Sequence, residues 1–410
     1  MNNLKPKRNQ IREYIRYVDV IKNSNFMNVL KITPMLSAEM QTLSPDAKKY
    51  LYLPHILVGV HEVRARIGTF NNPWGATVPS WYQPAPFKFI TTSLNDLADQ
   101  RAIELTNIAK RTNKKIIICW SGGIDSTFIL TAFLKNISLA DQELITIACT
   151  SQTIATNTQY YIKFLSNNKR INVVNITNIS ATNEFLNKNL IVHGDPGDGI
   201  FGPSSGMYRY FVDNNQHLEP WKKHLTKIIE YLEPTMDRDS FIEPGIANWW
   251  VNIVTRTLEE SGQADYISSV SDLWWWHYFN FKWNVCLYPF FNTLLSPLDQ
   301  TGIPVENQKD YADTIFFNTA DFQNWSYSNL KELVGSNPAV THKLKPREYI
   351  YEFDKNFKFF SHKRKTSAPS PTTKLQKGGI IGYDKDFKPI TNNLKMQLCL
   401  RAILTKYKES

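Results

Sequence analysis

Between Lys115 and His193, short runs of β-branched and apolar residues alternate with stretches of helical character. The runs are Lys115–Trp120 (KIIICW), Leu144–Thr150 (LITIACT), Ile171–Ile176 (INVVNI) and Leu190–His193 (LIVH). Helices are predicted between them, over Asp125–Asn136, Thr156–Phe164 and Ala181–Lys188. Continuous apolar strands separated by helices argue for a parallel sheet covered on both faces. Right-handed crossovers then make the layer doubly wound. The expected class is therefore α/β, a doubly wound parallel sheet.

Around this core the pattern changes. Ser93 with Asp96 three residues later starts a helix in the manner of a capping box. Leu97, Ile103, Leu105 and Ile108 follow at helical spacing as far as Lys110. Upstream, the proline-rich stretch Asn71–Phe87 reads as loop or linker, and after about residue 206 the chain is mainly helical and aromatic. The expected segments are an N-terminal extension (1–90), the α/β core (91–206) and a helical, basic C-terminal part (207–410).

Composition narrows the classes further. The four cysteines, Cys119, Cys149, Cys286 and Cys399, lie far apart with no C-x-x-C spacing. That excludes a disulfide scaffold and a cysteine-cluster zinc site, and it suits a reducing compartment. Met1–Lys22 is polar and basic, without the apolar stretch of a secretory signal. Leu273–Phe291 is rich in aromatics, but His277, Asn280, Lys282 and Asn284 interrupt it and Pro289 breaks it. It reads as a buried helix rather than a membrane span. A cytoplasmic protein with no membrane partner is expected. The net charge of +10 resides in Lys343–Ser410, where sixteen Lys and Arg stand against six Asp and Glu, leaving 31 of each sign before it. Such a basic segment suits a nucleic acid, nucleotide phosphates or an acidic partner.

The densest chemistry follows the first strand, in Ser121-Gly122-Gly123-Ile124-Asp125-Ser126-Thr127. Ligands of open α/β sheets bind at the carboxyl ends of strands. Glycines let backbone N–H groups converge on an anion, and the following helix adds positive charge at its N-terminus. The hydroxyls of Ser121, Ser126 and Thr127 can donate to phosphate oxygens. Asp125 repels a bare phosphate and makes sense with Mg²⁺ between the two. Neither the Walker pattern nor G-x-G-x-x-G is present.

This S-G-G-x-D-S loop after an apolar strand resembles the pyrophosphate-binding loop of the N-type ATP pyrophosphatases, the adenine nucleotide alpha hydrolase-like superfamily of the HUP or PP-loop type. The resemblance implies cleavage of ATP between its α- and β-phosphates, with adenylation of a carbonyl or carboxylate oxygen. A second motif, Gly194-Asp195-Pro196-Gly197-Asp198-Gly199-Ile200-Phe201-Gly202, follows the fourth strand. It resembles the G-E-G-x-D-E-x-F-G-G stretch of asparagine synthetases and β-lactam synthetases. On that match Asp195 stands near the reacting acyl group and Asp198 binds magnesium. The sequence departs from the family with Asp at 195, Pro at 196, Gly at 199 and Pro at 203.

Further on, Ile315–Trp325 (IFFNTADFQNW) is similar to a P-F-x-D-x-x-F-x-x-W/F-A stretch that packs the helical half of those synthetases. Lys343-x-x-x-Arg347 and Lys363-Arg364-Lys365 come next, in the family's order of a K-x-x-x-R segment and an R-x-K-x-G element. By spacing, Lys365 is the lysine that neutralises phosphate charge as pyrophosphate leaves, although Ser367 stands where the family has Gly. No cysteine precedes Cys119, so the N-terminal-cysteine glutaminase of many relatives is not expected.

The resemblance thus implies an ATP- and Mg²⁺-dependent, AMP-forming carbon–nitrogen ligase. Ser121, Gly122, Gly123, Asp125, Ser126 and Thr127 would hold the nucleotide phosphates. Cys149, Thr150 and Ser151, at the end of the second strand, would meet the adenosine. Asp125 and Asp198 would bind Mg²⁺, and Lys365 and Asp195 would serve catalysis. The partners are a small-molecule carboxylate and ammonia or an amine. Two other readings stand beside it. In one, the basic C-terminal region binds nucleic acid and a base carbonyl is adenylated. In the other, a degenerate site binds nucleotide without catalysis. His193 and His277 read as structural, and Trp274–Trp276 and Trp283 as core.

Overall fold

The computed structural model describes residues 87–175, 187–202, 206–236, 245–283, 313–333, 343–356, 382–383 and 389–390. They form two compact units. Of the described residues, 89–175, 187–197, 313–325 and 343–356 fall in one, and 198–202, 206–236, 245–283 and 326–333 in the other. The chain therefore returns to the first unit after leaving it.

The first unit opens with α1 (Leu94–Thr112). Ser93 caps it as expected, its hydroxyl oxygen accepting the Asp96 amide at 3.1 Å. The buried face is Leu94, Leu97, Ala98, Arg101, Ala102, Leu105 and Ala109, whereas Ile103 is 44% exposed. Alanines give the close approach that an apolar count centred on Ile and Leu misplaces. The helix ends at Asn113, which takes the left-handed conformation (φ 53°) and returns its N–H to the carbonyls of Ala109 and Lys110.

There follow β1 (Lys115–Cys119), α2 (Ile124–Asn136), β2 (Ile145–Cys149), α3 (Ser151–Thr156), α4 (Thr158–Phe164), β3 (Asn172–Asn175) and β4 (Asn189–His193). All four strands are parallel, in the order β3-β2-β1-β4. The α/β class and the parallel sheet are as expected. The chain builds outward from β1 to β3, then crosses back to lay β4 on the other side of β1. Strand order therefore reverses between β1 and β4, the place where open α/β sheets bind ligands. The helix expected over Thr156–Phe164 is instead two helices broken at Asn157, the first starting at Ser151.

Ile116, Ile117, Ile118, Ile147 and Val192 fill the sheet core. On one side Phe128 of α2 meets Phe317 at 6.0 Å and Tyr349 at 4.9 Å between ring centres. Arg101, only 5% exposed, donates to the carbonyls of Asp313 and Ile315 and pairs with Glu104. The stretch Ile315–Trp325 thus belongs to the sheet unit.

The second unit contains a four-residue helix at Gly197–Ile200, which begins one residue inside the first unit, then α5 (Gly206–Asp213), α6 (Leu225–Met236), α7 (Ile246–Glu260) and α8 (Val270–His277). Ser269 and Asp272 form a reciprocal capping box at the start of α8. A π-helical turn, Tyr278–Lys282, continues α8. Trp250, Trp275, Trp276 and Trp283 are fully buried, and His277 stacks on Trp274 at 4.6 Å. The expected buried helix is realised as far as Trp283, and residues 284–291 lie outside the described residues. Later come α9 (Ala320–Ser328), a short helix at Leu330–Leu333, and α10 (Leu344–Asp354) in the first unit. Among the described residues no helix is long and apolar enough to cross a membrane. Residues 1–86 and most of the basic C-terminal segment lie outside the described residues.

Candidate functional site

Trp120, 1% exposed, ends the β1 run, and its amide still pairs with the Ala148 carbonyl at 2.9 Å. The chain then turns through Gly122 at φ +67°. A β-carbon there would stand 2.4 Å from the Thr153 carbonyl oxygen, so both conformation and space require glycine. Gly123 is the N-cap of α2, and no side chain caps the helix. The first-turn N–H groups of an α-helix have no intrahelical acceptors. Here they lie at the carboxyl edge of the sheet, at the positive end of the helix dipole.

The loop hydroxyls organise the turn. Ser126 Oγ accepts the Ser121 amide at 3.1 Å and lies 2.9 Å from Ser121 Oγ, which accepts the Gly123 amide at 3.2 Å. Ser121 is exposed, while Gly123, Ile124 and Asp125 are half-buried. Ser126 and Thr127 are buried. Thr127 Oγ1 accepts the Trp120 indole N–H at 3.1 Å, which turns it into the sheet core rather than toward a ligand.

The loop after β4 closes against this turn through its glycines. A β-carbon on Gly194 would stand 3.1 Å from the Ser126 amide nitrogen, and one on Gly197 would stand 2.9 Å from the Asp125 carboxyl carbon. The two loops read from sequence therefore meet at Asp125. Between those glycines, Asp195 precedes a cis peptide to Pro196 and is 62% exposed. Its amide donates to His193 Nδ1 at 3.3 Å. That bond leaves the neutral ring's proton on Nε2, and burial holds His193 neutral, with its pKa pushed down to about 3. Asp198 follows Gly197 directly, in the four-residue helix Gly197–Ile200.

On the resemblance drawn from the sequence, Gly199 stands at the position of a second acid. A β-carbon at this position would meet the Trp283 ring at 2.8 Å. A side chain at 199 would therefore have to displace the buried Trp283 ring.

A residue given no ligand role from sequence completes the constellation. Lys343 Nζ lies 2.5 Å from Asp125 Oδ2. Lys343 is 6% exposed and takes the left-handed conformation (φ 55°) as the N-cap of α10. Arg347 follows one turn later on the same helix face, half-buried. Burial pushes its guanidinium below the usual arginine range, and no carboxylate pairs with it among the described residues. The spacing Lys343-x-x-x-Arg347 was visible in the sequence, but the phosphate-neutralising role went to Lys365, which lies outside the described residues.

At the end of β2, Cys149 is buried and its thiol pushed up to about 12 by that burial. Thr150 caps α3, accepting the Thr153 amide at 3.2 Å and donating its own amide to Thr153 Oγ1 at 2.8 Å. The Ser151 hydroxyl is buried and makes no hydrogen bond among the described residues. Cys119, the register partner of His193, has a thiol pushed up to about 12 by burial and then by the Asp195 charge.

Among the described residues no three His, Cys, Asp or Glu side chains gather to hold a metal by themselves. One half-buried carboxylate beside uncapped helix amides fits instead a metal shared with phosphate oxygens, because Mg²⁺ is commonly held by one or two carboxylates plus substrate phosphates. Compared with known proteins, the chain matches no family model, no characterised protein and no solved structure.

Proposed function

We propose that this chain is an AMP-forming, ATP-dependent carbon–nitrogen ligase of the PP-loop type, similar to the synthetase domain of asparagine synthetases. The observation that carries the proposal is the meeting of the two glycine loops at Asp125, at the strand-order reversal, with the Lys343 ammonium on the same carboxylate. Opposite charges and helix-dipole donors converge there, the chemistry that a metal-bound polyphosphate requires.

Ser121, Gly123 and the first turn of α2 bind the terminal phosphates. Asp125 would hold the Mg²⁺ that accompanies them. When bound, Mg²⁺ would draw off phosphate charge and so ease cleavage of the α–β bond. Lys343 supplies a second positive charge for the departing pyrophosphate, the role that spacing gave to Lys365. Cys149, Thr150 and Ser151 border the adenosine. A substrate carboxylate attacks the α-phosphorus, giving an acyl-adenylate and pyrophosphate. Ammonia or an amine then attacks the acyl carbon and AMP leaves, while exposed Asp195 accepts the nucleophile's proton. The protein's part is positioning and charge compensation.

The test is incubation with Mg-ATP, a panel of carboxylic acids and ammonia, using ATP labelled at the α- and γ-phosphates. The label should appear in AMP and pyrophosphate, only with the correct acid, and disappear in Asp125→Ala. Formation of ADP and phosphate would refute the proposal.

The excess of positive charge in Lys343–Ser410 favours a second reading, in which the adenylated carbonyl belongs to a nucleic-acid base. Salt-sensitive retention on RNA or DNA, with AMP release stimulated by that nucleic acid, distinguishes it.

A further inference from the structure

Lys343 and Asp125 are 218 positions apart in sequence, yet their side chains pair at 2.5 Å. The lysine side chain is 7% exposed and the aspartate 22%. Around the same carboxylate, Gly197 approaches so closely that a β-carbon on it would stand 2.9 Å from the carboxyl carbon, with Phe317 beside it. One oxygen of Asp125 is thus occupied by an ammonium in a tightly bounded place. An ion that takes this carboxylate oxygen therefore has to displace the ammonium from it.

The backbone of Lys343 is fixed independently of its side chain. It holds φ 55° and ψ 31°, and its carbonyl accepts the Arg347 amide at 3.1 Å as the cap of α10. Only the side chain has to move for the ammonium to leave Asp125. A second cation, Arg347, follows one turn on and keeps that face positive when it does.

We propose that Lys343 is a placeholder cation that makes metal binding conditional on nucleotide. Without nucleotide the ammonium occupies Asp125 and free Mg²⁺ is kept out. A Mg²⁺ that arrives on a polyphosphate takes over the carboxylate, and the phosphates it brings become the new partner of Lys343. This inference rests on the reading of the crevice as a Mg–nucleotide site. It adds an order of events: metal enters with the nucleotide and not before it.

The experiment measures Mn²⁺ binding to the nucleotide-free, full-length chain by electron paramagnetic resonance, alongside Mg-ATP binding by calorimetry. Wild type should bind Mg-ATP and bind free Mn²⁺ weakly. Lys343→Met should bind free Mn²⁺ at least about ten-fold more tightly, because the competing charge has gone. Lys343→Arg should stay as weak as wild type, and Asp125→Asn combined with Lys343→Met should lose the gain. Mn²⁺ should also raise the melting temperature of Lys343→Met and not that of wild type. Lys343→Gln provides a second charge-removing variant if the methionine form does not fold. Wild type that binds Mg-ATP, with Mn²⁺ affinity unchanged in the charge-removing variants, overturns the placeholder while leaving the nucleotide site standing. Wild type that binds no Mg-ATP overturns the crevice reading and this proposal with it.

Discussion

Gly197 faces Asp125 so closely that a β-carbon on the glycine would lie 2.9 Å from the carboxyl carbon. The second loop therefore sets the position of the acid in the first loop through a side chain it does not have. Asp125 is held from two directions, by the bare α-carbon of Gly197 and by the ammonium of Lys343.

Replacing Gly197 by Ala should displace the Asp125 carboxylate, since the atom in the way is the end of a side chain and can give. Mg-ATP affinity should fall by about ten-fold, as expected for a misplaced charged contact. The melting temperature should stay within a few degrees of wild type. Calorimetry and thermal melting on the same preparation check both halves. Undiminished affinity would show that the position of Asp125 does not matter to the ligand.

Gly122→Ala should behave in the opposite way. Its neighbour is a backbone carbonyl, at 2.4 Å, and its φ is +67°. Strain of this kind costs roughly 1–3 kcal/mol before any clash is counted. Chemical denaturation should show a loss of at least that size, and an equally stable variant would contradict the described turn.

Thr127 distinguishes the structure from the motif. In the S-G-G-x-D-S pattern its hydroxyl reads as a phosphate donor, yet it accepts the buried Trp120 indole N–H. Thr127→Val should cost about 1–3 kcal/mol, because the indole donor loses its acceptor, and should leave Mg-ATP affinity within about two-fold of wild type. A stable variant with much weaker nucleotide binding would restore the motif's reading.

The parts legible in the sequence were those fixed by local chemistry. The KIIIC, ITIAC and LIVH runs are mainly apolar because both faces of the sheet are covered, and they mark strands to within a residue or two. Ser93 and Asp96 marked a helix start because a cap is a short-range hydrogen bond. The break at Asn157 was hidden, since the early start of α3 depends on Thr150 and Thr153 capping each other where no apolar period announces it. The meeting of Asp125 with Lys343 was hidden more deeply. Sheet order brings the loops after β1 and β4 together, but only tertiary packing of α10 delivers a lysine to them.

His193 gives the protein an acid sensitivity with a definite sign. Its folded pKa, about 3, lies below the ordinary 6.5 that applies once the chain unfolds. Below pH 6.5 the unfolded chain takes up a proton that the folded protein refuses. Stability should therefore fall as pH drops from about 6.5 toward 3, by at most about 1.4 kcal/mol per pH unit from this group. His193→Asn can keep an acceptor for the Asp195 amide and should flatten that part of the profile. Denaturation curves collected at several pH values check it, and an unchanged slope would assign the acid sensitivity to other groups.

The most direct test of the crevice between β1 and β4 is calorimetric titration of the full-length chain with Mg-ATP. Wild type should bind one nucleotide per chain, and a folded Asp125→Ala variant should lose that binding. A folded wild-type chain that takes up no Mg-ATP, or an Asp125→Ala variant that binds it as well as wild type, would contradict the assignment of these two loops to a metal-bound triphosphate.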